Sequence, residues 1–150
     1  MNSIVTKLIL IMAVLGFWTA NAAQADDGQT MQRLGNWEVH YSAFASTFLQ
    51  PEIANQYNLT RSNSRGVLNI SVLDATSDTR TAQRVNVDGF ALNDLGQRQE
   101  LSFRRHIDGE AIYYVAQIAH GREDAFRFFI DIRSGNDEQR LEFTHTFYRN

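Results

Sequence analysis

Two runs decide the fold: Phe126-Arg127-Phe128-Phe129-Ile130-Asp131-Ile132-Arg133 and Leu141-Glu142-Phe143-Thr144-His145-Thr146-Phe147, joined through Ser134-Gly135-Asn136-Asp137. In the first, Phe126, Phe128, Ile130 and Ile132 share one face, and Arg127, Asp131 and Arg133 the other. In the second, Leu141, Phe143 and Phe147 alternate with Glu142, Thr144 and Thr146. A period of two marks a half-buried strand, and the Gly-Asn-Asp turn between them makes the pair antiparallel.

The same period recurs upstream. Trp37, Val39, Tyr41 and Ala43 alternate with Glu38, His40 and Ser42, which predicts the first strand, and Leu68, Ile70 and Val72 share a face of the second, Val67 to Leu73. A third strand runs from Val85 to about Leu92, with a bulge expected at Asp88-Gly89, because the pieces on either side are too short for a separate hairpin. After the Asn93-Asp94-Leu95-Gly96 turn, a fourth strand carries Leu101, Phe103 and Ile107 on one face. Asp108-Gly109 is a strong hairpin signal. It leads into Ala111 to Ile118, apolar on both faces and therefore a strand covered on each side.

Between the first two strands, Pro51 followed by Glu52-Ile53-Ala54-Asn55-Gln56-Tyr57 suits a short helix with Pro in its first turn. Seven strands and one short helix make an all-β protein. The pattern predicts a seven-stranded antiparallel immunoglobulin/fibronectin-like β-sandwich, with a small β-barrel as the alternative.

The N-terminus reads differently. Lys7 precedes an almost wholly apolar run, Leu8 to Ala20, and Ala23-Gln24-Ala25 fits a small-residue cleavage site. That is the pattern of a secretory signal peptide, and the run is shorter than the roughly 18 residues of a spanning helix. The expected organisation is a signal peptide over 1–25, cut after Ala25 or Ala22, a flexible leader over 26–36 with at most a short strand, and the domain over 37–150. The periplasm is the expected location, with no membrane span after cleavage.

The full chain of 150 residues has 14 Lys plus Arg, 17 Asp plus Glu, a net charge of -3 and no Cys. Lys7 is the sole lysine, so cleavage leaves 13 arginines against 17 acids, a net charge of -4. This balance argues against a nucleic-acid partner, which needs a basic face. Without Cys there is neither a disulfide frame nor a thiolate metal cluster, so packing alone must hold the exported domain.

No cofactor motif, phosphate loop, nucleophile elbow or metal-binding histidine spacing is present. His106 leads into a hairpin and reads as an exposed polar residue, and His145 falls in an apolar register and reads as a core histidine. Tyr41 to Asn69 stands out, because it packs Phe44, Phe48, Leu49, Pro51, Ile53, Tyr57 and Leu59 into one connection and adds Arg61, Arg65 and Asn69. It is either a plug, with its arginines bonding loop carbonyls, or a lid over a site for carboxylate or phosphate. His40, Phe44, Phe48, Arg61, Arg65 and Asn69 form the candidate binding surface.

The runs His40-Tyr41-Ser42-Ala43-Phe44, Phe48-Leu49-Gln50-Pro51-Glu52-Ile53-Ala54 and Gly66-Val67-Leu68-Asn69-Ile70-Ser71-Val72, with Tyr57 and Arg61-Ser62, resemble the domain of unknown function numbered 4426. Leu95-Gly96-Gln97 and Glu110-Ala111-Ile112-Tyr113-Tyr114 are similar as well. The resemblance implies a small exported protein of Gram-negative bacteria with a compact β-rich domain, and it carries over no activity, cofactor or catalytic residue. The expected function is a non-enzymatic module that binds a protein partner or an envelope component. The alternatives are a small-ligand carrier and a hydrolase with a spatially assembled site around His40 or His145.

Overall fold

A computed structural model describes residues 30–149. The expected signal peptide, 1–25, and the first residues of the expected leader lie outside them. Nine strands form two antiparallel sheets: β1 (Thr30–Leu34), β2 (Trp37–Ala45), β3 (Arg65–Asp74), β4 (Asn86–Asn93), β5 (Arg98–Leu101), β6 (Arg104–Asp108), β7 (Ala111–Ala119), β8 (Glu123–Ser134) and β9 (Asp137–Tyr148). The first sheet has the order β1-β2-β3-β7-β6 and the second β5-β4-β8-β9. The protein is thus a β-sandwich and not a closed barrel.

The core follows the alternation. Val39, Leu68, Ile70, Val72, Tyr114 and Ile118 on the first sheet meet Ala91, Phe128, Ile130, Ile132 and Leu141 on the second. Burying such side chains is the main term holding a fold without disulfides together, at about 1.5–3 kcal/mol each. Tyr114 also solves a polar problem: its hydroxyl accepts the Val85 N–H at 2.8 Å and donates to the Gln83 carbonyl at 3.0 Å, tying the β3–β4 connection to the core.

Three expectations are corrected. Thr30–Leu34, assigned to the leader, pair residue by residue with Trp37–Tyr41, so the sheet begins before Trp37. The expected fourth strand is two: β5 pairs with β4 in one sheet and β6 with β7 in the other, the chain crossing between sheets at Ser102-Phe103. Finally, β4 has no bulge, since its register against β8 is unbroken from Asn86 opposite Arg133 to Asn93 opposite Phe126. Gly89 serves close approach instead, because a side chain there would run into the Phe129 carbonyl.

The feature that positions the site is the connection between neighbouring strands β2 and β3. It leaves Ala45 through a 3-10 turn over Ser46–Phe48, forms helix α1 (Pro51–Gln56), and returns to Arg65. It crosses the outer face of the first sheet, where its Ala54 is buried and where Val67 and Val115 are buried on the sheet side. This cover explains why β7 is apolar on both faces.

Candidate functional site

The connection is held shut by its own polar groups. Ser46 is fully buried; its hydroxyl donates to the Ser62 carbonyl at 2.8 Å and accepts the Ser62 N–H at 2.9 Å, clamping the outgoing limb to the returning one. Farther along, the Gln117 side chain of β7 accepts the Thr60 N–H at 3.0 Å and donates to the Thr60 carbonyl at 2.8 Å. The returning limb is thereby pinned to the sheet.

Arg61 answers the question of plug or lid. Its Nε donates to the Leu49 carbonyl at 2.7 Å and a terminal nitrogen donates to the Thr47 carbonyl at 3.3 Å. These carbonyls flank Phe48, whose ring is 82% exposed. The guanidinium therefore fastens the backbone on both sides of an aromatic side chain that faces water. Arg61 acts as the plug reading requires, while the plug displays Phe48.

The other candidates do not converge on Phe48. His40 stands on the outer face of β2 with Nε2 2.7 Å from Glu38 Oε1, and Arg80 Nε lies 3.1 Å from the other Glu38 oxygen, making a polar trio on the open sheet. Phe44 is half-buried opposite Val67, and Asn69 sits opposite Ser42 on the same outer face. Arg65 is exposed where β3 begins. Thus the structure brings Phe48 and Arg61 together, places His40, Phe44 and Asn69 on the face from which the connection springs, and leaves Arg65 at its edge.

A polar patch under the far end of the connection is a further feature. Tyr57, just past α1, packs on His106 with ring centroids 4.7 Å apart, and His106 is opposite Tyr113. His106 is therefore half-buried, which corrects the expectation of an exposed hairpin residue. Burial and then the Asp108 carboxylate push the Tyr57 phenol above its ordinary range, and burial, Tyr57 and Asp108 do the same to Tyr113. Both phenols therefore stay protonated at neutral pH. Asn69 Oδ1 and His106 Nε2 are buried on this face without a hydrogen-bond partner, a cost the fold carries. His145 is buried in the core register as its position suggested, edge-on to Phe147 at 4.5 Å.

Among the described residues no three His, Cys, Asp or Glu side chains come together as a metal-binding set. No helix of the described residues is long and apolar enough to cross a membrane. What this arrangement can do chemically is present an apolar anchor on a fastened backbone, beside a mixed polar and aromatic sheet face.

Fold and site together define a small all-β sandwich with one elaborated crossover on its outer face. The chain belongs to the DUF4426 family, a domain of unknown function, whose sequence pattern matches residues 31–150. The crystal structure of a DUF4426 family protein from Pseudomonas aeruginosa PAO1 is similar at 31% identity and a TM-score of 0.71, over 82% of this chain and 97% of that one. Two structures of FetP from uropathogenic Escherichia coli strain F11 share the fold. One, as isolated after expression in the periplasm, has 10% identity and a TM-score of 0.52 over 79% of this chain and 91% of its own. The other, a copper-bound variant, has 12% identity and a TM-score of 0.53 over 79% and 92%. No curated protein matches the sequence.

Proposed function

We propose that this protein is a non-enzymatic binding module of the cell envelope, exported by the segment 1–25, which holds a protein partner by seating Phe48 in an apolar pocket of that partner. The observation that carries the reading is the pair of Arg61 hydrogen bonds to the carbonyls on either side of an 82% exposed phenylalanine. Single exposed apolar residues are ordinary on protein surfaces. A fastened one is different, because an anchor whose backbone is already ordered loses little conformational freedom on binding. Aromatic anchors that enter a partner's pocket carry most of the energy of many interfaces.

On the same connection Glu52 and Ile53 are exposed on α1, and Arg65 is exposed where the chain re-enters the sheet. The envelope placement is supported by the signal-like N-terminus and by FetP, a fold relative that was expressed in the periplasm.

Leu95 is the natural control, since it is 84% exposed on the β4–β5 turn without an arginine clamp. Wild type, Phe48→Ala and Leu95→Ala are immobilised and exposed to an envelope extract of the native host, and captured proteins are quantified by mass spectrometry. The proposal expects a protein retained by wild type and Leu95→Ala and lost by Phe48→Ala. Equal capture by a folded Phe48→Ala variant overturns it.

A further inference from the structure

β9 is the last strand of its sheet, so one side of its backbone pairs with β8 and the other faces outward. Hydrogen bonds fix which residues point which way. The Glu142 carbonyl accepts from the Gln32 side chain of β1 at 3.1 Å, on the outward side, and the Arg149 N–H donates to the Arg122 carbonyl at 2.8 Å, on the β8 side. Main-chain groups alternate in direction along a strand. Thr144, Thr146 and Tyr148 therefore direct theirs outward, and among the described residues no strand pairs with them.

An open row of N–H and C=O groups is a template for another strand, and proteins guard such edges by shortening them or with charge, proline or bulges. The other three edges of this sandwich are guarded. β1 and β6 have 5 residues each and β5 has 4, with Arg33 in β1, Arg98 and Glu100 in β5, and Arg104 and Arg105 in β6. β9 has 12 residues. Its first half carries Glu138, Arg140 and Glu142 and is met by Gln32, but Phe143 to Tyr148 holds no Asp, Glu, Lys, Arg, Pro or Gly, and its register against β8 is unbroken.

The open stretch also matches itself. A second copy turned about a two-fold axis at Thr146 sets Thr146 opposite the partner's Thr146 and Thr144 opposite the partner's Tyr148. The outward groups of all three residues then find partners, and no charge faces a like charge. On the outer face the Tyr148 side chain, 60% exposed in the single chain, comes to lie against the methyl of the partner's Thr144, an aromatic and β-branched pair of the kind that stabilises sheets. Registers centred on Thr144 or His145 instead would need Glu142, whose carbonyl Gln32 already holds.

We infer that the outward edge of Phe143 to Tyr148 is the docking site for the same edge of a second copy, joining the two four-stranded sheets into one continuous antiparallel sheet. The contact is isologous, the same patch on both copies. It uses no residue of the Phe48 surface, so the two readings fail separately.

The test is sedimentation velocity on the protein as it accumulates from expression of the full-length chain, over a dilution series. The inference expects a monomer–dimer equilibrium. Thr146→Lys and Thr146→Glu change a side chain on the outer face and set like charges opposite each other across the axis, so each alone weakens the dimer about tenfold. An equimolar mixture of the two associates at least as tightly as wild type. Thr146→Cys, in a chain with no other cysteine, cross-links into a dimer under mild oxidation, because residues paired in this way have Cα atoms about 5.5 Å apart; Leu95→Cys, on an exposed turn, does not. A protein that stays monomeric up to about 1 mM overturns the inference, and protected Thr144 and Thr146 amides in that monomer would show that the chain covers its own edge. A dimer unchanged by both folded charge variants overturns it too, as does a Thr146→Cys protein that cross-links no more than Leu95→Cys.

Discussion

Replacing Arg61 by alanine removes the clamp from Phe48 while leaving the core and the helix intact. The two bonds lost are unequal: the one to Leu49 is 2.7 Å, the one to Thr47 is 3.3 Å, and both lie at an exposed side chain. A hydrogen bond from a charged donor contributes about 1.5–3 kcal/mol when sheltered and less in water, so the pair contributes about 1–1.5 kcal/mol here. That corresponds to a 5- to 10-fold rise, roughly, in the local opening equilibrium. The Ser46–Ser62 clamp and the Thr60–Gln117 pair remain, which confines the effect to the tip. Amide hydrogen exchange reads this directly: protection at Leu49, whose N–H bonds the Ser46 carbonyl at 3.2 Å, should fall by that factor while β3 and β7 amides are unchanged. Unaltered exchange at residues 47–50, or a loss spread evenly over the sheets, would refute the clamp.

Tyr114→Phe should destabilise the protein by about 1–3 kcal/mol in urea unfolding, because it strands the Val85 N–H and the Gln83 carbonyl; a change under about 0.5 kcal/mol would contradict that role. Gly66→Ala should cost about 1–3 kcal/mol by overpacking, since the added carbon meets the buried Phe147 ring; an unchanged urea midpoint would count against the packing. Asp131 is held below the ordinary carboxylate range by the Arg140 hydrogen bonds at 2.8 and 3.1 Å, and then by the Arg140 and Arg133 charges. Its contribution is complete above the unfolded value of about 3.9 and is lost as pH falls through the lower native value. Asp131→Asn should therefore be less stable by about 0.5–1 kcal/mol at neutral pH, with the gap to wild type closing in acid; a gap constant with pH would exclude this cause.

The strands that could be read from sequence are those whose burial alternates over many residues. β8 and β9 show Phe126, Phe128, Ile130 and Ile132 inside against a charged outer face, and local pattern and tertiary structure agree there. β1 escapes such reading because Thr30, Met31 and Arg33 are exposed and Gln32 and Leu34 only half-buried, so pairing with β2 makes it a strand. The crossing at Ser102-Phe103 lacks Gly or Pro, and Leu101 and Ile107 look like one face although their strands lie in different sheets. At Gly89 the sequence pointed to a bulge, because the Phe129 carbonyl that excludes a side chain there belongs to the neighbouring strand β8 and leaves no local trace.

For the candidate surface, residue types and their clustering between 44 and 69 were visible, but partners were not. That Arg61 reaches the carbonyls around Phe48 depends on how the two limbs of the connection fold back on each other. Tyr57 meets His106 across the sheet, a contact that leaves no local motif. The open stretch of β9 reads as a strand in sequence, and only the sheet order shows that it lies at an edge.

The central claim is that Phe48 is a fastened anchor for a protein partner. It is tested most directly by placing a photoreactive phenylalanine analogue at position 48, and in a separate protein at position 95, and irradiating cells of the native host. The account predicts one discrete cross-linked species from position 48, absent from position 95 and weakened when Arg61→Ala is combined with the probe. No adduct at position 48, or the same adducts from both positions, would contradict it.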